Sequence, residues 1–288
     1  MINKTDYFLP DLKECWIIVF LLIVIGGVGI GFCLQLLAMV SDTKITDMNV
    51  LFTYVLPLLP ALFYIFHKGR KAFSEGKSSG CPIDDPHYGR LKIVPLALLL
   101  IIGCETLSLV CEPLGSIFEM PDQFKELFSK ISGDGFWSFL SIVIAAPVLE
   151  EFLLRGIIER GLLKYKTPAA AIIWSAFFFA LIHMNPWQSI VAFFFGLFLG
   201  WIYWRTHSLL ATIFIHAVNN GTSFMIMLLF PDLPVDFDFH KLIASIWGTD
   251  TYYAVYATSL LLFLISVFLL HKYLSKSGFD KKRITGNI

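Results

Sequence analysis

Two adjacent glutamates and an arginine lie in the middle of an apolar stretch, SFLSIVIAAPVLEEFLLRGIIERGLL. An ionisable group inside a membrane-spanning helix costs about 2.5–3.5 kcal/mol on insertion scales, so such groups are candidates for function. Adjacent residues point about 100° apart on a helix, so Glu150 and Glu151 cannot face one direction. Glu151 precedes Arg155 by four residues, the favourable order for an intrahelical ion pair, and Arg155 precedes Glu159 by four. We therefore expect a ladder of ion pairs that neutralises Glu151 and leaves Glu150 for chemistry.

Histidine and asparagine side chains in two later apolar stretches could complete a hydrolytic site. The stretch FFFALIHMN places His183 four residues after Phe179. The stretch LLATIFIHAVNNGTSFMIMLL places Asn220 four residues after His216, on the same helical face. A neutral imidazole beside a carboxylate can deprotonate a water molecule or ligate a metal, and an asparagine amide can donate to an oxyanion. These residue types together are sufficient to hydrolyse an amide bond.

Each of these clusters also has an interpretation without catalysis. A membrane histidine often serves in helix packing, and a Glu–Glu–Arg cluster is equally typical of a structural ion pair or a transporter's ion site. Packing does not require Glu, His, His and Asn on three separate helices, so the combination favours catalysis. Glu105, in IIGCETLSLV, is a further intramembrane carboxylate that we expect to bond Ser or Thr across helices. The remaining histidines fall at helix ends or in loops and are expected to be solvated: His67, His87, His207, His240 and His271.

The composition is typical of a polytopic membrane protein. Hydrophobic residues make up 57% of the chain and charged residues 15%, whereas a soluble domain carries about 25% charged residues. The mean hydropathy is +0.72. The 22 basic and 22 acidic residues cancel, which gives no reason to expect nucleic-acid binding. The partner that the composition predicts is the lipid bilayer.

Apolar segments of membrane-spanning length recur along the whole chain. A span needs about 20 apolar residues, and we predict an all-α bundle of about eight spans in one membrane domain, 1–288. The fifth of these segments is short. The predicted catalytic core, 136–230, carries the three motif stretches. The predicted spans are 15–40, 49–66, 91–111, 136–160, 168–184, 188–205, 208–230 and 251–273.

The distribution of Lys and Arg predicts the orientation of these spans. With eight spans both termini lie on one side, and the segments on that side hold 18 of the 22 basic residues. The opposite side holds 4. Loops rich in Lys and Arg stay in the cytoplasm, so both termini are expected to be cytoplasmic. The basic segments are 1–14, 67–92, 155–167, 205–207 and 272–288.

Three motifs of the sequence resemble, in order and in type, those of the CPBP family. The family contains the eukaryotic CAAX prenyl endopeptidases and bacterial relatives linked to bacteriocin immunity. The pattern EExxxR alone is weak, but the three motifs in order on near-consecutive spans are specific. The resemblance covers roughly residues 136–230. The motifs are Glu150-Glu151-x-x-x-Arg155, Phe179-x-x-x-His183 and His216-x-x-x-Asn220.

The resemblance implies peptide-bond hydrolysis within the membrane, near its cytoplasmic side, by a multi-pass protein of a bacterial cell membrane. It implies that Glu150 and His183 activate the water molecule. It further implies that His216 and Asn220 stabilise the oxyanion. The residues that would support this arrangement are Glu151, Arg155 and Phe179.

The resemblance leaves the metal and the substrate open. Family members are labelled metalloproteases, yet a metal-free glutamate mechanism is also argued for them. A divalent metal such as zinc would have Glu150, His183 and His216 as ligands, although no HExxH spacing is present. The implied partner is a peptide or protein substrate, lipidated in the eukaryotic members, and the implied roles are protein maturation or bacteriocin self-immunity. The alternatives are an ion-coupled transporter, against which no convincing inverted repeat is present, and a non-catalytic membrane scaffold or immunity protein.

Overall fold

The computed structural model describes residues 2–34, 36, 49–77, 81–132, 135–234, 236–276 and 279 of the chain. This part of the chain is helical and contains no strand, which confirms the predicted all-α class. A short 3₁₀ helix, Ile2–Tyr7, comes first. The helices that follow are α1 Leu12–Leu34, α2 Val50–Ser74, α3 Ile93–Gly115, α4 Asp122–Ser132, α5 Phe136–Tyr165, α6 Pro168–Ile182, α7 Pro186–Thr206, α8 Leu209–Leu229, α9 Phe239–Trp247 and α10 Thr249–Tyr273.

Seven helices of the described chain are long and apolar enough to cross a membrane: α1, α2, α3, α5, α7, α8 and α10. The chain is therefore an integral multi-pass membrane protein. Helix α6 corresponds to the predicted fifth span, and it is apolar but only 15 residues long. The end of the predicted first span, up to residue 40, lies outside the described residues.

Helices α6, α7 and α8 are joined by very short connections, and each helix begins with a side-chain cap. The Thr167 hydroxyl accepts from the backbone N–H of the third residue of α6, at 3.4 Å. Asn185 caps α7 and Ser208 caps α8 in the same way. Helix α7 ends at His207, which adopts a left-handed conformation with φ +49°. Connections of two or three residues force consecutive helices to run antiparallel, so the three helices lie side by side.

Small residues decide how closely the helices approach. A Cβ atom on Gly196 of α7 would lie 3.0 Å from the Ala176 Cα of α6, so the two backbones are in near contact. Gly27 and Gly31 of α1 have the same spacing, but a Cβ atom on either one would meet no other helix. The GxxxG pattern of α7 therefore serves packing within the bundle.

Helix α5 contains two wide, π-helical stretches that flank the glutamates. They span Leu140–Ala145 and Phe152–Glu159, and an ordinary α-helical turn, Ala146–Glu151, lies between them. Wide turns inside α-helices occur frequently at functional sites, because they change which side chains share a face. The two glutamates thus sit on the one regular turn between two irregular ones.

Candidate active site

Glu151 and Arg155 form the predicted ion pair in the interior of the bundle. The Arg155 Nη1 donates to Glu151 Oε1 at 2.8 Å, and both side chains are fully buried. The second arginine nitrogen donates to the Gly196 backbone oxygen at 3.1 Å, and the guanidinium lies 4.9 Å from the centre of the Phe179 ring. The pair therefore joins α5 to both α6 and α7.

His216 lies between the two glutamates. Its Nδ1 is 2.9 Å from Glu151 Oε1, and its Nε2 is 3.9 Å from Glu150 Oε2. A carboxylate oxygen accepts hydrogen bonds, so the proton of the ring sits on Nδ1 when Glu151 is ionised. The 3.9 Å separation is too long for a direct hydrogen bond but short enough for one water molecule to contact both atoms.

Glu150 has a partner that no motif contains. The Tyr54 hydroxyl of α2 donates to Glu150 Oε1 at 2.7 Å. The other oxygen of this carboxylate faces His216. The expectation that Glu150 is unpaired is therefore corrected. One of its oxygens is held by a phenol, and the other is directed into the site.

Asn220 completes an irregularity in α5. In the first wide stretch the Ala146 N–H bonds five residues back, to Ser141 O. In this pattern of bonds five residues back, the donor to the Ile142 carbonyl would be Pro147. Proline has no N–H, so the Ile142 carbonyl lacks its helical donor. The Asn220 side-chain N–H fills this gap at 2.9 Å. One amide hydrogen of Asn220 is thus used for anchoring, and the second remains for a ligand.

His183 and His216 lie around the same aromatic ring. The centre of the Phe179 ring is 5.1 Å from that of His183 and 5.4 Å from that of His216, both edge to face. The His183 Nδ1 lies 2.8 Å from the Phe179 carbonyl oxygen one turn back. A carbonyl only accepts, so Nδ1 carries the hydrogen and Nε2 has the lone pair. Phe179 therefore spaces two imidazoles on neighbouring helices.

The predicted ladder of ion pairs stops at Arg155. Glu159 is fully buried, but neither of its carboxylate oxygens accepts a hydrogen bond within the described part of the chain. Ser175 lies beside it and donates instead to the Leu154 backbone oxygen at 3.2 Å. A Cβ atom on Gly200 would lie 2.7 Å from Glu159 Oε2, so this glycine leaves the space that the carboxylate occupies. The expected pairing of Arg155 with Glu159 is wrong, because the wide turn gives Arg155 another direction.

Two other sequence-based expectations have clear outcomes. Glu105 accepts a hydrogen bond from the Thr222 hydroxyl at 3.0 Å, as predicted for a contact across helices. His207, predicted to be solvated, is only 2% exposed. The loop 81–91 covers it, and sequence position alone does not reveal this coverage.

The residues suggested for a catalytic metal do not form a compact ligand set. Among the described residues, one group of three metal-capable side chains has ligand atoms within 4.8 Å of one another, and it does not include Glu150, His183 or His216. Tetrahedral zinc, with bonds of about 2.0–2.2 Å, holds its ligand atoms about 3.4 Å apart. Glu150, His183 and His216 do not meet even the 4.8 Å limit as a set of three. We therefore assign no step of the chemistry to a metal.

Comparison with known proteins bears on the segment that holds these side chains. The fold is that of a polytopic membrane protein, with ionisable side chains gathered inside the bundle. Residues 132–222, about a third of the chain, match the family model described as type II CAAX prenyl endopeptidase Rce1-like. The matched segment is similar to that family and contains all three motifs. No curated protein and no solved structure matches the chain.

Proposed function

We propose that the chain is an intramembrane endopeptidase in which Glu150 is the general base. The observation that carries the proposal is the position of His216 between two adjacent glutamates, one bonded and one 3.9 Å away. Glu151, the bonded glutamate, orients the imidazole ring. Glu150 faces the gap, in which one water molecule can contact both its carboxylate and the His216 ring.

The hydrolysis begins with the activation of this water. Glu150 Oε2 removes a proton from the water, whose oxygen attacks the carbonyl carbon of the peptide bond. Tyr54 donates to Glu150 Oε1 and keeps Oε2 directed at the water. The His183 Nε2, which has the lone pair, is the second acceptor for that water. The base and the imidazole together raise the fraction of water molecules that are oriented for attack.

The negative charge that develops on the carbonyl oxygen requires donors. The second amide hydrogen of Asn220 supplies one. His216 supplies another from Nε2 in its imidazolium form, which keeps the Nδ1–H on Glu151. The C–N bond then breaks, and the departing amine takes the proton that Glu150 had removed. Glu151 and Arg155 touch neither the water nor the peptide. They hold His216 and the α5 turn in position.

The substrate that we propose is a protein or peptide with a lipidated C-terminal segment. A site at membrane depth is reached most readily by a chain that is itself anchored in the bilayer. The role would be maturation of such a protein. The family description, which names prenyl endopeptidases, supports this substrate class.

The test is a cleavage assay with the purified protein in nanodiscs. The probe is a fluorogenic peptide ending in a farnesylated CAAX sequence, compared with the same peptide without the farnesyl group. We expect cleavage of the farnesylated probe and a loss of about 100-fold or more in Glu150→Gln, the usual contribution of a general base. The matched control is Glu105→Gln, a second intramembrane carboxylate that lies outside the site and should leave the rate unchanged.

Several outcomes would contradict the proposal. If the wild-type protein and Glu150→Gln cleave equally, Glu150 is not the base. If neither cleaves and the wild type instead moves ions across proteoliposomes, the transporter alternative is favoured. Cleavage of both probes at the same rate would retain the endopeptidase and reject the lipidated substrate.

We also propose that both termini are cytoplasmic, as the distribution of Lys and Arg predicts. Reporter fusions at residue 80 and after residue 288 should then read as cytoplasmic. A fusion at residue 240 should read as external. An external reading at the C-terminus would reject this orientation.

A further inference from the structure

A second group of polar side chains lies at the end of the bundle where α7 turns into α8. One ligand atom from each of Asp85, His87 and His207 lies within 4.8 Å of the others. His207 ends α7, and the other two residues belong to the loop 81–91 before α3. At a helical rise of 1.5 Å per residue, His207 is about 14 Å from His216 along the chain, so this group is separate from the proposed catalytic site.

Backbone hydrogen bonds hold the loop in register against the turn. The Asp85 N–H donates to the His207 carbonyl at 2.9 Å, and the His87 N–H donates to the Thr206 carbonyl at 2.7 Å. Further along, the Leu209 N–H donates to Asp84 Oδ1 at 2.6 Å. Asp84 is therefore occupied as a cap of α8, and the neighbouring Asp85 lies near the two histidines.

Both histidines have one ring nitrogen bonded to a backbone carbonyl. His207 Nε2 lies 2.7 Å from Pro82 O, and His87 Nδ1 lies 2.5 Å from Asp85 O. A carbonyl only accepts, so these nitrogens carry the hydrogens, and Nδ1 of His207 and Nε2 of His87 keep their lone pairs. The Cys81 sulfur, 3.3 Å from His207 Nε2, is a weaker acceptor and does not change this assignment.

This tautomer arrangement is the one that metal-binding histidines use. A ligating histidine almost always donates its other N–H to a carbonyl or carboxylate, which fixes the ring and the free lone pair. Here both accepting carbonyls, those of Pro82 and Asp85, belong to one short loop. Three side chains from a loop and a helix end thus lie together, and hydrogen bonds fix the tautomers of both histidines. The Cys81 sulfur is 3.9 Å from His207 Nδ1.

The surroundings of His207 make the site rigid on one side and open on the other. His207 is buried, and its ring stacks on Phe279 with centres 4.0 Å apart. The Tyr203 hydroxyl donates to Ile83 O at 2.6 Å and holds the loop down. His87 is exposed and Asp85 is half-buried, so an ion and a water ligand can enter from that side.

We propose that Asp85, His87 and His207 bind one divalent transition-metal ion of the zinc type, which fastens the loop to the α7–α8 turn. Two imidazole nitrogens and one carboxylate oxygen suit zinc, whereas magnesium and calcium prefer oxygen ligands alone. Tetrahedral zinc holds its ligand atoms about 3.4 Å apart, so the side chains must close by about 1 Å. The exposed His87 and the half-buried Asp85 can supply this movement. The ion stabilises the start of α8, the helix that carries His216.

Cobalt(II) is the probe for this site, because it replaces zinc and gives visible absorption bands when it is tetrahedral. The metal-stripped protein, purified without a histidine tag, should bind one equivalent of Co²⁺ with intense visible bands, and Zn²⁺ should displace it. Zinc should also raise the melting temperature by several degrees, because it binds only the folded state. His87→Ala and Asp85→Asn should abolish both effects, and neither substitution removes a buried side chain.

Two controls decide where the ion binds. His67→Ala removes an equally exposed histidine outside the group and should bind Co²⁺ as the wild type does. Glu150→Gln should also bind it unchanged. Loss of the Co²⁺ bands in Glu150→Gln but not in His87→Ala would place the metal at the intramembrane site and overturn the proposal. Absence of a one-to-one complex in the wild type would overturn it equally.

Discussion

Helix α5 buries two arginines five residues apart, and they are satisfied in different ways. Arg155 pairs with the carboxylate of Glu151, which in turn bonds His216. Arg160 is surrounded by backbone carbonyl oxygens, with contacts of 2.7 Å to Gly156, 3.2 Å to Thr5 and 3.0 Å to Phe8 in addition to Cys81. Both side chains are completely buried, so burial alone does not distinguish a functional charge from a structural one.

The difference lies in what each arginine holds in place. Arg155 orients Glu151, and Glu151 orients His216, so Arg155 acts on the chemistry through Glu151. Arg160 fastens the N-terminal segment and the loop at Cys81 to α5, and its hydrogen-bond acceptors are backbone carbonyls. A carboxylate, that of Asp6, lies 3.8 Å away, farther than a hydrogen bond. The carboxylate that Arg155 holds bonds a second ionisable side chain, that of His216. The carboxylate near Arg160, Asp6, accepts instead from the Ile83 backbone N–H, so this arginine belongs to the scaffold.

The largest effect is expected when the charge partner of Arg155 is removed. Glu151→Gln leaves a fully buried guanidinium without its carboxylate, which costs about 3–5 kcal/mol of the free energy of unfolding. Denaturant unfolding in detergent measures this loss. Adding Arg155→Met should recover most of the stability, because no charge is then stranded. If Glu150→Gln is the unstable variant and Glu151→Gln is folded but inactive, the roles of the two glutamates are reversed.

Removing the other arginine should affect stability without affecting the chemistry. Arg160→Met leaves several buried carbonyls without their donor, so we expect a loss of about 1–3 kcal/mol. The folded fraction should cleave at the wild-type rate. Arg70→Met, at an exposed arginine of α2, is the matched control and should change neither quantity. A lower rate at unchanged stability would contradict the structural role of Arg160.

Between the two arginines, the pocket of Glu159 depends on a glycine. Gly200→Ala places a methyl group 2.7 Å from Glu159 Oε2 and 3.2 Å from Ile172, and overpacking of this kind costs about 1–3 kcal/mol. Gly31→Ala is the control, since a Cβ there meets nothing within 4 Å. It should be neutral or stabilise its helix by up to about 1 kcal/mol. Melting curves check this difference. Equal changes in melting temperature for Gly200→Ala and Gly31→Ala would mean that the space around Glu159 is not filled as described.

The smallest effect should come from the phenol that holds the catalytic carboxylate. Tyr54→Phe removes one hydrogen bond to Glu150, worth about 1 kcal/mol, so kcat should fall up to about tenfold with KM unchanged. Steady-state kinetics with the farnesylated peptide measure both quantities. Tyr253→Phe, at an exposed tyrosine of α10, should show no change. A rise in KM with unchanged kcat would assign Tyr54 to substrate binding instead.

Local spacing was sufficient to predict the contacts within α5 up to Arg155. The Glu151–Arg155 pair follows from the helical repeat, which needs no knowledge of other helices. The next step of the same reasoning failed at Glu159, because the turn between Phe152 and Glu159 is wider than an α-helical one. That Pro147 leaves a carbonyl without its donor follows by a local argument, which points to Val143 in a regular helix. The wide register moves the gap to Ile142. That Asn220 fills this gap does not follow locally, since the residue is 78 positions away.

The sequence by itself determined the membrane class, the all-α fold, and the residue types and spacings of the three motifs. These properties depend on composition and on periodicity within one helix, which are local. Only the tertiary structure decided that Tyr54 bonds Glu150 across 96 positions, that His216 bonds Glu151 across 65, and that His207 is buried beneath a loop. Such contacts depend on how helices pack and which loop covers their ends. Packing depends on shape complementarity among many side chains at once, and the pattern of a single segment does not contain it.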